Sequence, residues 1–113
     1  MKQVNSISTK ELQQMAEAMY GDLVKAVVDI QKKLIVVDAE MHYDEEQFLL
    51  EHGSKQIDLW GINLHPADYG GNNFIEYDSM INIRPAHGNN SRGVENPEIR
   101  RKIEHIVAEV VHG

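Results

Sequence analysis

The 113-residue chain contains no cysteine. That excludes disulfides, thiolate nucleophiles and thiolate-held metal ions. Positive charge is also in short supply: 11 Lys and Arg stand against 18 Asp and Glu, a net charge of −7. Proteins that bind duplexes gain affinity by neutralising phosphates, so general nucleic-acid binding is not expected. No apolar run approaches the ~20 residues that a membrane-spanning helix needs. The opening MKQVNSISTKELQQ has no apolar h-region, so no secretory signal is expected and the default location is cytoplasmic. Also missing are the phosphate loop GxxxxGK, the zinc helix HExxH, an EF-hand loop in register and the GxSxG nucleophile elbow. No metal site and no cofactor is therefore expected.

What is present is the material for a core. Hydrophobic residues make up 42% of the chain, enough for one domain over residues 1–113. Three helices are marked by their starts. Ser8 to Glu11 (STKE) forms a capping-box pattern, with Ile7 placed to staple onto Leu12 and Gly21 as a stop. Asp44 to Gln47 (DEEQ) is a second such pattern, with Tyr43 before Phe48 and Gly53 after. Asn96-Pro97 opens the third, whose apolar stripe is Ile99, Ile103, Ile106, Val107 and Val110. Four β-rich stretches fill the gaps: 25–31, 34–42, 56–65 and 73–84. Lys32-Lys33 and the PADYGGNN segment read as hairpin connections, the first without an Asn-Gly signal. The order α-β-β-α-β-β-α predicts an α+β fold, a four-stranded, mostly antiparallel sheet with helices mainly on one face.

Alternation along the strands sorts the side chains. Asp38, Glu40 and His42 share a face of one strand, and Glu76 and Asp78 a face of another. Carboxylates beside His can hold a metal or move protons, but a solvated sheet face has the same pattern. Stretch 56–65 is apolar on both faces, Ile57 and Leu59 against Trp60, Ile62 and Leu64. It is expected at a central position or in an oligomer contact, with Trp60 and Ile62 as candidate interface residues. The longest polar connection, 84–92, carries Arg84, His87, Asn89, Asn90, Ser91 and Arg92 and leads into a helix N-terminus. Arg84, Asn89, Ser91 and Arg92 are candidate ligands for an anion, through guanidinium forks and neutral donors. The structural alternative is that Arg84 and Arg92 pair with Glu76, Asp78 or Glu95, the last of these already placing negative charge at that helix start.

The segments DEEQFLLEHGSKQIDLWGINLHP and SMINIRPAHGNNSRGVENPEIRRKI resemble a family of short uncharacterised prokaryotic proteins, a domain of unknown function, from Leu12 to Val110. The resemblance implies a standalone prokaryotic cytoplasmic protein and brings no activity, cofactor or catalytic residue. Two readings of function follow. One is a non-enzymatic interaction module that forms a homodimer. The other is a small enzyme or binder that grips a phosphate- or carboxylate-bearing molecule at loop 84–92.

Overall fold

A computed structural model describes residues 1–113. Its elements run β1 (Lys2–Val4), β2 (Ile7–Ser8), α1 (Thr9–Met19), β3 (Val24–Asp29), β4 (Leu34–Val37), α2 (His42–Glu51), β5 (Leu59–Leu64), β6 (Ile75–Glu76), α3 (Pro97–Val110) and β7 (Val111–His112). The fold is α+β with three helices, as expected. The main sheet has five strands rather than four, all antiparallel, in the order β1-β4-β3-β5-β6. The additional strand is β1. A separate two-stranded parallel sheet joins β2 to β7 and ties the two ends of the chain together.

The helices divide between the faces. Leu12 and Ala16 of α1 and Ile103, Ile106, Val107 and Val110 of α3 pack with Ala26, Val28, Trp60 and Ile62 in the larger core. Leu49 of α2 packs with Val27, Val36 and Leu59 on the opposite face. Two helices therefore cover one face and α2 the other, because β3, β4 and β5 are apolar on both. Each fully buried Leu or Ile contributes roughly 1.5–3 kcal/mol by leaving water. Strand β5 is buried along its whole length, between β3 and β6. Trp60 and Ile62, expected as candidate interface residues, are 5% and 0% exposed and lie in the larger core. Their apolar demand is met inside the protomer, so they offer no surface to a partner.

Local chemistry explains the boundaries. Ser8 completes its capping box with Glu11, and the Asn96 side chain accepts from Glu98 N. The DEEQ box does not form: α2 begins at His42, two residues before Asp44, and its N-cap Met41 makes no side-chain cap. The hairpin between β3 and β4 is turned by Asp29. Its Oδ1 accepts from Gln31 N and Lys32 N, both at 2.9 Å, its Oδ2 accepts from Ser54 Oγ at 2.6 Å, and Lys33 takes φ 58°. Asp38 at φ 70° then ends β4, cutting short the strand expected to run to residue 42.

The strand expected over 73–84 survives only as β6. Beyond it, side chains replace the backbone ladder along β5. Asn82 Oδ1 accepts from Gly61 N (2.8 Å), while its Nδ2 donates to Gly61 O and Arg92 O, both at 2.9 Å. Arg84 Nη2 donates to Leu59 O. Gly61 is required here: a Cβ would lie 2.6 Å from Ser79 Cβ and Oγ. The outer edge of β5 is thus sealed by β6 at Asn63 and Leu64 and by side-chain amide and guanidinium groups at Gly61 and Leu59.

Candidate functional site

Loop 84–92 is closed by backbone bonds between Arg84 and Asn89 at 2.7 and 3.1 Å, with Gly88 at φ 82° in the left-handed region that glycine favours. The four candidate anion ligands point to different internal partners. Arg84 is buried; beyond Leu59 O it stacks 4.8 Å over the Trp60 ring and faces Glu46 of α2 at 3.7 Å. Burial pushes the Arg84 pKa down and that of Glu46 up, and each charge partly offsets the shift of the other. Asn89 is buried and donates to Asn82 O and Gly93 O, both at 2.8 Å, while Glu95 N donates to its Oδ1 at 3.0 Å. The Ser91 side chain and the Asn90 backbone hold the exposed Glu95 carboxyl below its usual range. Arg92 is exposed and its Nε meets Asp78 Oδ1 at 2.5 Å. The loop is tied inward, and its donors converge on no common point.

A different set of residues does converge. A cavity of about 440 Å3 opens between the start of α2, β3, β5 and the segment after β6. Its polar wall holds Lys25, His42, Asn63, Glu76, Asp78 and Arg92, and its rim holds Tyr20, Met41, Tyr43 and Met80. Alternation along β3 points Lys25 to the α2 face, and the first turn of α2 sets His42 beneath it. His42 is buried, and its Nε2 lies 2.8 Å from Ile62 O. A carbonyl only accepts, so Nε2 carries the proton and Nδ1 keeps a lone pair. Burial, aided by the Lys25 charge, lowers the His42 pKa against the pull of the Ile62 carbonyl, so the ring is neutral at pH 7. Asn63 Nδ2 donates to Glu76 Oε1 (3.0 Å) and Asp78 O (3.3 Å), and Glu76 Oε1 also meets His65 Nε2 at 3.1 Å. Chemically, the cavity offers an ammonium, a neutral imidazole and an Arg–Asp pair beside apolar contact surface. No group of His, Asp and Glu is arranged to hold a metal ion.

On the same helix as His42, Glu45 is fully buried. Burial raises its pKa to about 10, against the opposing effects of the Ala39 backbone and Lys25. The carboxyl is therefore neutral at pH 7.

A family model described as "Protein of unknown function (DUF5674)" matches residues 3–110. The chain belongs to this family. No curated protein and no solved structure was found to match it.

Of the polar sheet face read in the sequence of this DUF5674 member, His42, Glu76 and Asp78 come together at the cavity, while Asp38 and Glu40 line a separate surface hollow beside Met1 and Met19. Arg92 joins the cavity; Arg84, Asn89 and Ser91 do not. Lys25 and Asn63 were not singled out from the sequence. Their signal was present: each is a lone polar residue within an otherwise apolar strand core, KAVV and GINL. The rim residues come from three separate segments, at Tyr20, Met41–Tyr43 and Met80, and no local pattern joins the three. No helix is long and apolar enough to cross a membrane.

Proposed function

We propose that this protein is a binding module whose ligand is a small organic molecule seated in the cavity between α2, β3 and segment 76–81. The observation that carries the reading is a gathering of apolar surface. Of the nine large hydrophobic side chains that are exposed, four (Tyr20, Met41, Tyr43 and Met80) surround this one cavity. Exposed apolar groups gathered around a few polar ones are the usual make-up of a ligand site, and about 440 Å3 suits a small molecule. This keeps the small-ligand reading and moves it away from loop 84–92, where Arg84 and Asn89 are buried and Arg92 is paired with Asp78. The homodimer reading loses its basis in Trp60 and Ile62, both internal. The setting we propose is the cytoplasm, where a cysteine-free chain has no need of oxidising conditions.

The test is a small-fragment library screened by amide chemical-shift perturbation on the labelled protein. Binders should move the amides of residues 41–43, 63 and 78–81. Binders that map only to other surfaces, or no binder at millimolar concentration, would overturn the reading. Sulfate or phosphate titrated into the same sample should leave residues 84–92 unmoved.

A further inference from the structure

The charges of the cavity are not all answered. Arg92 is bound to Asp78 at 2.5 Å. Glu76 is engaged by Asn63 at 3.0 Å and His65 at 3.1 Å. Lys25 makes no ion pair with any carboxylate; its Nζ stands 4.9 Å over the Tyr20 ring, which leaves the ammonium free to take another partner. The backbone N–H groups of His42 and Tyr43, at the start of α2, also have no acceptor, and both residues line the cavity. The Asp44 side chain lines the neighbouring hollow instead.

Resting on the reading of this cavity as a binding site, we infer that its ligand is a small monocarboxylate with an apolar or aromatic body, the carboxylate on Lys25 and the body among Tyr20, Met41, Tyr43 and Met80. The charge count selects the class. A cationic ligand would meet two carboxylates already engaged by Arg92, Asn63 and His65, and an unanswered ammonium. A dianion such as a phosphate monoester would be repelled by Glu76 and Asp78 in the same wall, and the guanidinium that would grip it is held by Asp78. One negative charge satisfies Lys25 and disturbs no existing pair. The two tyrosines and two methionines supply flat and adaptable apolar contacts for the remainder of the molecule.

Three probes of one shape separate the possibilities: 3-phenylpropanoate, 3-phenylpropanamide and 3-phenylpropylamine, titrated by calorimetry and amide shifts. The carboxylate should bind at residues 41–43 and 78–81, the amide about tenfold more weakly and the amine more weakly still. Lys25→Met keeps the apolar stem and should lose that tenfold for the carboxylate alone; Lys25→Arg should keep most of it. Circular dichroism and the urea midpoint check that each variant is folded, and if Lys25→Met is not, Lys25→Gln and the three-probe series on the parent decide. Equal or tighter binding of the amide or amine, or carboxylate binding undiminished by loss of the ammonium, would overturn the inference and leave the cavity reading standing. If neither these probes nor the fragment library moves the cavity amides, the cavity reading itself fails.

Discussion

Asn82 is the most demanding test of how the sheet edge is closed. It is fully buried, and its side chain makes three hydrogen bonds of 2.8–2.9 Å, two to Gly61 and one to Arg92 O. Asn82→Ala leaves Gly61 N–H and C=O without partners; Arg92 O still accepts from Ser79 N at 2.9 Å. Two orphaned groups at about 1–3 kcal/mol each give an expected loss of about 2–6 kcal/mol. Asn82→Asp preserves shape and the bond from Gly61 N–H, but turns a donor into an oxygen facing two carbonyls. At pH 7 the loss should be at least as large. The introduced carboxyl would have a folded pKa raised above its unfolded value of ~3.9. Its penalty is therefore greatest above the raised pKa and shrinks as pH falls, because protonation restores one donor. Urea denaturation followed by Trp60, the single and buried tryptophan, reads both effects between pH 5 and 8. A loss below about 1 kcal/mol for Asn82→Ala, or no recovery of Asn82→Asp toward acid relative to the parent, would refute the claim that this amide seals β5.

Gly61→Ala should destabilise by about 1–3 kcal/mol or more, since its Cβ would meet Ser79 at 2.6 Å; adding Ser79→Gly should return part of the loss, as read from urea midpoints. Arg84→Ala strands the buried Glu46 and should cost about 3–5 kcal/mol, and a double-mutant cycle with Glu46→Gln should reveal the coupling. Glu45, with a folded pKa of about 10, keeps a proton that the unfolded chain gives up near its normal value. Its contribution is intact in acid and declines as pH rises through the neutral range, so Glu45→Gln should flatten the fall of melting temperature between pH 5 and 9. Ile103→Ala, at a fully buried position of α3, should cost about 2–5 kcal/mol by equilibrium denaturation.

How much of this was legible in the sequence depends on how local each determinant is. The starts of α1 and α3 were readable because a cap and its target lie within three residues, as Ser8–Glu11 and Asn96–Glu98 do. The DEEQ box misled for a physical reason: α2 starts where Asp38 turns the chain and buries Glu45 and Glu46, so tertiary packing outweighs a cap worth about 1 kcal/mol. Strand 73–84 alternates as expected only at its start: Ile75 and Tyr77 reach the larger core, but a 3-10 turn at Met80–Asn82 sends Ile81 to the smaller one, and Asn82 and Arg84 bind β5 through their side chains in place of a ladder. β1 was missed because three residues hold too little pattern to reveal a strand. Of the loop arginines, Arg92 met one of its expected partners, Asp78, whereas Arg84 met Glu46, 38 positions away and outside any sequence pattern.

The same anchors that close the sheet also set the character of the cavity. α2 is fastened to β5 twice: directly where His42 meets Ile62 O, and through Arg84, which joins Glu46 to Leu59 O. The polar wall of the cavity therefore stands on rigid elements, which keeps the ordering cost of the proposed ligand low. The rim is built differently. Met41, Tyr43 and Met80 are more than half exposed, and no hydrogen bond fixes their side chains. Methionine adapts to irregular shapes at small cost. On the proposed binding reading, a fixed polar floor under a pliant apolar rim should discriminate the head group of a ligand strongly and its body weakly. Selectivity in this fold should therefore reside at Lys25 and the start of α2, with tolerance toward the size of the apolar part.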